Sequence, residues 1–322
     1  MENNENLEGA DRRREAAADE RTECNTGVAG DLATFEQYRG LLFSIAYRML
    51  GIVADAEDML QETFIRWQAA TDAEVRSPRA FLVTIISRLC INHLQSARVQ
   101  REVYVGQWLP EPLATDPASD PLGIVKMDET ISMAFLVLLE RLTPVERAVF
   151  LLREVFEYDY AEIAQTLGQS EVNCRQILAR ARKHVSAVRP RFKASPRKQT
   201  DLLERFLKAT GAGDLDGLVA VLSNDVVLHT DGGGRAVAVP NLIYGADHVA
   251  RAILGGVKKF TPKDIDPRIT QLNGEPGVVI YLNGKPLSAF TLDVQDDRVQ
   301  AIYFVTNPEK LAHLPSLPDG EL

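Results

Sequence analysis

The sequence predicts a multidomain protein in which two all-α domains precede an α+β domain with a curved antiparallel sheet. Apolar residues recur at helical spacing through residues 31–102 and 131–188. From residue 201 the pattern changes to two helical stretches followed by short alternating runs between turn residues, which is typical of β-hairpins. A chain of 322 residues, with 45% hydrophobic and 25% charged residues, has room for two or three such domains.

Bulk properties exclude several classes of protein. Residues 1–30 are polar and lack an apolar segment, so we interpret them as a disordered tail rather than a secretory signal. No apolar run approaches the ~20 residues of a membrane helix. Cys24, Cys90 and Cys174 form no CxxC pair. We therefore expect a cytoplasmic protein without a disulfide framework, a metal ion, a cofactor or a membrane contact.

The first helical domain, residues 31–102, contains three predicted helices. The first covers residues 34–50 and ends at Gly51, and the second covers residues 53–70. The third starts at Ser77, a good N-cap that is followed by proline. From residue 76 to residue 101 this third stretch carries five arginines, one histidine and no carboxylate, which suits contact with phosphate groups.

The second of these helices has two different faces. Its apolar stripe includes Trp67, which we therefore expect in the core rather than stacked on a nucleic-acid base. Its opposite face gathers the carboxylates of Asp55, Asp58 and Glu62. This acidic face suits a basic partner, and a solvated surface is the alternative interpretation.

A linker and a second helical domain follow. Residues 103–130 are rich in proline, aspartate and glycine, which indicates a linker, and they contain the motif WLPEP at residues 108–112. In the domain at residues 131–188, two helices meet at Gly168, as in a helix-turn-helix. The outward face of the second helix carries Asn173, Gln176, Arg180 and Lys183. Such side chains match base edges and phosphates, so the pattern indicates DNA reading, with an ordinary basic hairpin as the alternative.

The basic character continues beyond that helix. Residues 172–200 hold nine cations and no carboxylate, and we interpret residues 189–200 as a basic linker. The net charge of the whole chain is −9, which argues against a protein that coats nucleic acid indiscriminately.

The last domain, residues 201–306, is predicted to be α+β and to precede a tail at residues 307–322. Its helices are predicted at residues 201–211, 214–223 and 245–255. Its strands are predicted at residues 225–230, 267–272, 277–282, 286–294 and 298–305. The pairs Asn273-Gly274, Asn283-Gly284 and Asp296-Asp297 separate the last four strands as hairpin turns.

His229 and Asp231 alternate along the first predicted strand and therefore share one of its faces. A histidine and a carboxylate in a dry pocket could act as a base and an acid. The plainer interpretation, which the lack of any substrate signature favours, is that Asp231 caps the following glycine turn and that His229 is a packed or surface histidine. Gly232–Gly234 does not match a nucleotide-binding loop, and three glycines allow close approach of another backbone.

Several segments resemble a known family. The stretch Asp55–Phe64 resembles the core-binding segment of region 2 in sigma-70-type initiation factors, and Leu142–Val185 resembles their region 4. This order, with a short linker and no region 3, is similar to that of extracytoplasmic-function sigma factors. Residues 201–305 are similar to SnoaL-like domains of the NTF2-like superfamily, which form a cone with an apolar cavity. WLPEP, DGGGR at residues 231–235 and NPEKL at residues 307–311 resemble the signatures of a group that carries this fused domain.

The resemblance implies core RNA polymerase and promoter DNA as partners, with an unidentified small ligand in the cone as a further candidate. The residues it implies for core polymerase are Asp55, Glu57, Asp58, Gln61 and Glu62. Those for the −10 element are Arg79, Arg88, Asn92, Arg98 and Arg101. Those for the −35 element are Glu171, Asn173, Arg175, Gln176, Arg180 and Lys183. Asn92 and Gln95 stand where many relatives have charged residues, which leaves the −10 sequence preference open.

The three further motifs make sense if they meet across an interface between domains. Their residues are Trp108, Leu109, Pro110, Glu111, Pro112, Asp231, Gly232, Gly233, Gly234, Arg235, Asn307, Pro308, Glu309, Lys310 and Leu311. We therefore expect a sigma factor that is not an enzyme and that its fused domain regulates from within the chain. The alternative is a DNA-binding regulator whose last domain is a small-ligand receptor or a SnoaL-type isomerase or cyclase.

Overall fold

The computed structural model describes residues 30–70, 75–101, 104–115, 131–186 and 195–318, and in the third helix it describes side chains as far as residue 96. The tail predicted for residues 1–30 therefore lies outside the described residues except for its last position. Most of the predicted linker at residues 103–130, and residues 187–194 of the basic segment, also lie outside them.

Seven helices lie in the described part of the chain before residue 187. They are α1 (Leu32–Leu50), α2 (Val53–Gln68), α3 (Pro78–Arg101), α4 (Met133–Leu139), α5 (Pro144–Glu154), α6 (Tyr160–Leu167) and α7 (Glu171–Ser186). Their ends follow from local sequence. Gly51 and Gly168 adopt left-handed conformations, with φ of 73° and 65°, and end α1 and α6. Thr143 and Glu146 form a capping box at the start of α5.

The two helical domains share one hydrophobic core. Leu42 and Trp67 from the first domain and Leu139 and Leu178 from the second belong to the same buried cluster. Trp67 is fully buried and its indole Nε1 donates to Asp31 O at 2.8 Å, so the prediction of a core tryptophan is confirmed. Because apolar burial is continuous, these seven helices pack as one unit.

The last domain combines four helices with a six-stranded sheet. The helices are α8 (Pro196–Ala212), α9 (Leu215–Val221), α10 (Ala246–Phe260) and α11 (Pro308–Leu311). The strands are β1 (Leu222–Asp231), β2 (Ile243–Tyr244), β3 (Ile265–Leu272), β4 (Glu275–Leu282), β5 (Lys285–Gln295) and β6 (Arg298–Val305). The order across the open sheet is β2-β1-β6-β5-β4-β3.

Two predictions for this domain need correction. The sheet is not wholly antiparallel, because β1 pairs in parallel with β6, which the chain reaches only after β2, α10 and the strands β3, β4 and β5. The basic linker predicted for residues 189–200 is already helical from Pro196, since Ser195 stands at the N-cap and proline suits the first helical turn. The three predicted hairpins are confirmed, and the residues of their turns all have positive φ.

The two faces of the sheet contact different parts of the chain. One face packs against the helices of its own domain, with Phe206, Val249 and Phe290 in the core. The other face packs Tyr303 and its neighbours against Leu109 of the WLPEP segment, against Met133 of α4 and against the residues around α11. The second face is thus an interdomain interface. Within the described ranges, no helix is long and apolar enough to span a membrane.

Candidate functional site

The acidic face of α2 remains at the surface. Glu57, Asp58 and Gln61 are exposed, whereas Asp55 and Glu62 are half-buried. The carboxylate of Asp55 lies 3.2 Å from His93 Nε2, and that of Glu62 lies 2.9 Å from the arginine four positions later. The face is therefore acidic but partly neutralised, and its exposed carboxylates are those of Glu57 and Asp58.

A shallow groove of about 430 Å³ lies beside this face, between α1 and α2. Leu32, Phe35 and Phe64 give it an apolar floor, and Glu57 and Gln61 also line it. Leu32, the first residue of α1, is 56% exposed and so adds apolar contact area to this surface. The surface thus joins apolar contact area to carboxylates, a combination common in protein interfaces.

The arginines of α3 lie against the second helical domain. Arg88 Nε donates to Thr166 O at 2.8 Å, and the Arg79 guanidinium lies 4.8 Å from the centre of the Tyr158 ring. Asn92 is exposed. The side chains of the other two arginines predicted for the −10 element, Arg98 and Arg101, lie outside the described residues.

The outer face of α7 is open. Of the residues predicted for the −35 element, Asn173 is half-buried, and the exposed ones are Glu171, Arg175, Gln176, Arg180 and Lys183. Arg175 pairs with Glu171 at 2.8 Å. The opposite side of the helix is buried through Cys174, Leu178, Ala181 and Val185, which confirms the predicted amphipathic pattern.

The motifs WLPEP, DGGGR and NPEKL meet at the buried carboxylate of Asp231. This side chain is fully buried and accepts hydrogen bonds from Leu109 N at 2.8 Å and from Lys310 Nζ at 2.7 Å. It also accepts from Tyr104 OH at 2.6 Å and from Gly233 N at 3.0 Å. The bond from Gly233 is the turn cap expected for Asp231, and the other three reach outside its motif.

Lys310 completes this cluster. Its side chain is 5% exposed, and its ammonium group also donates to Leu109 O and lies 4.2 Å from the centre of the Trp108 ring. A buried charge needs a partner and hydrogen bonds, and Lys310 has both. Burial, and then the bond to Asp231, raises the pKa of Tyr104, so its hydroxyl stays protonated and donates to the carboxylate.

The WLPEP segment is also attached to the first helical domain. The carboxylate of Glu111, which is 2% exposed, accepts from Val53 N at 2.8 Å and so caps the start of α2. The backbone N–H of Glu111 donates to Gly51 O, and Tyr47 OH donates to Glu111 O at 2.6 Å. Asn273 of the last domain donates to the same Tyr47 hydroxyl at 2.6 Å. One segment thus connects α1, α2 and the sheet.

Two glycines allow this close packing. Gly51 has φ of 73°, and a Cβ there would lie 2.8 Å from the Trp108 ring. Gly233 has φ of 59°, and a Cβ there would collide with the Asn307 side chain. Near them Arg235 pairs with Glu309 at 2.9 Å on the surface. The sequence motifs therefore occupy one interface, in which the buried members are Leu109, Pro110, Glu111, Pro112, Asp231, Gly232, Asn307, Lys310 and Leu311.

Sequence reasoning missed four members of this interface. They are Tyr47, Tyr104, Asn273 and His313, and His313 Nδ1 lies 2.5 Å from Glu111 Oε1. The only signal of such partners in the sequence was Glu111, a carboxylate between two prolines. If such a carboxylate is buried, it requires hydrogen-bond donors from elsewhere in the chain.

His229 has the features of a packed histidine. Its ring stacks on Tyr303 with centroids 4.9 Å apart, on the face of the sheet that also presents Asp231. Burial, together with the charge of Arg141, lowers the pKa of His229 from 6.5 to about 4. The imidazole is therefore neutral near pH 7 and lies in the interdomain interface.

Comparison with known proteins agrees with these features. A model of sigma-70 region 2 matches residues 34–99, and a model of sigma-70 region 4 matches residues 132–185. The extracytoplasmic-function (ECF) RNA polymerase sigma factor SigJ of Mycobacterium tuberculosis is 39% identical over 297 residues, which are 88% of this chain and 94% of SigJ. The probable ECF sigma factor SigI of that species is 31% identical over 282 residues, 87% of this chain and 94% of SigI. The crystal structure of SigJ matches with a TM-score of 0.73 at 35% identity and covers 89% of this chain and 100% of that one.

Proposed function

Because the chain belongs to the ECF RNA polymerase sigma factors, we propose that its last domain acts as an intramolecular clamp on the two promoter-reading halves. A sigma factor works with core RNA polymerase and promoter DNA, so the surfaces for these partners lie on α1–α7. The clamp is the interface formed by WLPEP, DGGGR and NPEKL. One observation carries the proposal: WLPEP and NPEKL, which lie far from DGGGR in the sequence, both donate hydrogen bonds to its buried carboxylate, Asp231.

The proposed surface for core polymerase is the exposed side of α2. Its exposed carboxylates and the neighbouring apolar groove support a contact with a basic partner that also has apolar side chains. The residues are Asp55, Glu57, Asp58, Gln61 and Glu62.

The proposed surfaces for DNA are α3 for the −10 element and the outer face of α7 for the −35 element. The cations of α7 project from a helix whose other side is buried, as major-groove reading requires. Arg175, Gln176 and Arg180 are the strongest candidates for direct contact.

The clamp acts through attachment to both halves. Glu111 and Tyr47 join the WLPEP segment to α1 and α2, and Met133 of α4 packs on the sheet. A folded domain that contacts both halves restricts their separation, whereas a free linker would allow many separations. We propose that this restriction limits which spacings between the −35 and −10 elements the protein can use.

This proposal favours docking over catalysis for the last domain. The neutral, stacked His229 belongs to the interface, and the carboxylate of Asp247, near the start of α10, is exposed and pairs with Arg251 at 2.8 Å. Apolar side chains such as Phe206 and Phe290 fill the space between the helices and the sheet, where a ligand would enter a cone.

The test is in vitro transcription with core polymerase on promoters whose spacing differs by single base pairs. Asp231→Asn removes the buried negative charge, and we expect it to broaden the range of spacings that give transcripts. Asp247→Asn is the matched control, because its carboxylate is exposed in the same domain. An unchanged spacing profile for Asp231→Asn, with binding to core polymerase intact, would contradict the clamp.

A further inference from the structure

The outer face of α7 presents one large apolar side chain among its polar residues. Val172, in the first turn of this helix, is 62% exposed. We propose that Val172 reads the 5-methyl group of a thymine in the −35 element, and that Gln176 reads an adenine one or two base pairs away. The inference deepens the proposed function and rests on its assignment of α7 to the −35 element.

Val172 lies in the middle of the outward face of α7. Residues 172, 176, 179 and 183 follow one another at intervals of four, three and four positions, which places them in one row along a helix. Val172, Gln176, Ala179 and Lys183 are all exposed. The other side of the helix, with Leu178, is buried in the core, so this row points away from the protein.

Two arginines that flank this row lie close to partners within the protein. Arg175 pairs with Glu171 at 2.8 Å and lies 4.7 Å from the centre of the Tyr160 ring. On the other side, Arg180 Nε lies 4.0 Å from the carboxylate of Glu146. When a helix lies in the major groove, its flanks face the phosphates and its middle faces the base edges. The two arginines are therefore directed towards the flanks, and the row itself faces the bases.

A valine at this place can recognise one base. In the major groove only thymine carries a methyl group at C5, and apolar side chains contact it. The N-terminal residues of a recognition helix are those that reach base edges, and Val172 is the second residue of α7. The contact removes two apolar groups from water, which is favourable without any hydrogen bond.

Gln176 supplies the second part of the reading. Its amide group matches the N6 donor and the N7 acceptor of adenine. Four residues of an α-helix span about 6 Å, and successive base pairs are about 3.4 Å apart. Contacts from Val172 and Gln176 therefore fall one or two base pairs apart. Together the two side chains select a thymine and an adenine within three consecutive base pairs.

The first experiment removes the methyl group from the DNA and leaves the protein unchanged. The probe is a promoter duplex that the holoenzyme, core polymerase with the full chain, selects from a library randomised in the −35 element. Each thymine of that element is replaced in turn by deoxyuridine, which keeps the hydrogen-bonding groups of thymine and lacks its methyl group. We expect one replacement to weaken binding about fourfold, the effect of one buried methyl group.

The second experiment identifies the side chain that contacts this methyl group. Val172→Ala should bind the thymine and deoxyuridine duplexes equally, whereas Val172→Thr keeps one branch methyl and should keep most of the difference. Val237→Ala is the matched control, because Val237 is 59% exposed and lies in the last domain. It should keep the fourfold difference. All three substitutions are at exposed positions, so the fold should be unaffected.

The third experiment repeats the selection with Gln176→Ala. We expect this variant to lose the preference for adenine next to, or two base pairs from, the sensitive thymine, while the preference for thymine remains. An unchanged preference for adenine would rule out the reading by Gln176.

The outcomes separate this inference from the proposed function. If no deoxyuridine weakens binding, or if Val172→Ala still distinguishes the two duplexes, the methyl contact is wrong. The −35 assignment of α7 nevertheless stands if Gln176→Ala and Arg180→Ala weaken binding to the selected duplex. If these two variants also bind that duplex as the wild type does, both the inference and the −35 assignment are wrong.

Discussion

Lys310 offers the sharpest test of the interdomain cluster. In Lys310→Met the side chain keeps its length and its contact with the Trp108 ring, but Asp231 loses the cation that pairs with it. Removing one partner of a buried ion pair costs about 3 to 5 kcal/mol of stability, because the other charge stays buried without compensation. Asp231 keeps donors from Tyr104, Leu109 and Gly233, so we expect the lower end of that range, about 3 kcal/mol.

The assay is hydrogen exchange at the Leu109 amide. This N–H donates to Asp231 Oδ2 at 2.8 Å, so it exchanges only when the WLPEP segment leaves the domain. A loss of about 3 kcal/mol predicts exchange about a hundredfold faster, since 1.36 kcal/mol corresponds to a factor of ten. The double variant Asp231→Asn/Lys310→Met should also lose free energy of opening at Leu109. We expect its loss to be smaller than the sum of the losses in the two single variants, by about 1 kcal/mol or more.

The control is Lys259→Met, which removes an exposed lysine that lies over the Phe260 ring in the same domain. It should leave exchange at Leu109 unchanged. The reasoning is refuted if Lys310→Met also leaves that exchange unchanged. It is also refuted if the free-energy loss in the double variant equals the sum of the losses in Asp231→Asn and Lys310→Met.

Three further predictions concern the remaining surfaces. Reversing Asp58 and Glu62 to lysine should abolish co-purification with core polymerase, because it replaces an acidic face with a basic one; retained binding, with the helical circular dichroism intact, would contradict the assignment. Arg180→Ala should weaken binding to a −35 duplex by about 1–3 kcal/mol for a base contact, or reduce the salt slope by about one for a phosphate contact; titrations at several salt concentrations decide. His229 is harder to protonate when folded, so the wild type should lose stability, by up to about 3 kcal/mol, as pH falls from 6.5 to about 4. Thermal melts of His229→Phe should lack that part of the loss.

Much of the fold could be predicted from sequence, because it depends on residues a few positions apart. Gly51 and Gly168 end helices, and the Asn-Gly pairs close hairpins, because of backbone preferences that depend on the local sequence alone. The start of α8 at Pro196 was also visible, since serine followed by proline is a helix start, and the cations around it hid that signal. The parallel pairing of β1 with β6 could not be predicted, because it depends on how strands that are distant in the sequence pack together.

The interdomain interface shows the same difference between features that depend on local sequence and contacts between distant residues. Its motifs could be recognised, but Tyr47 and Asn273 lie 226 positions apart, and neither has a local pattern that points to the other. The engagement of Arg88 by Thr166 O was beyond prediction for a further reason. The sequence of α3 is equally suited to phosphate and to helix carbonyls, because both accept hydrogen bonds from a guanidinium.

The position of Lys310 in the chain has a consequence for protein synthesis. Among the elements that the structure describes, Lys310 follows every strand and every helix longer than α11. Asp231 and Leu109, which it bridges, are made much earlier. Domains fold in the order in which they leave the ribosome, at about 5–20 residues per second. The nascent sigma helices therefore exist for several seconds before the lysine that secures their linker is available. Under the proposed clamp function, a premature stop before Asn307 would leave the sigma helices without the lysine that closes this interface.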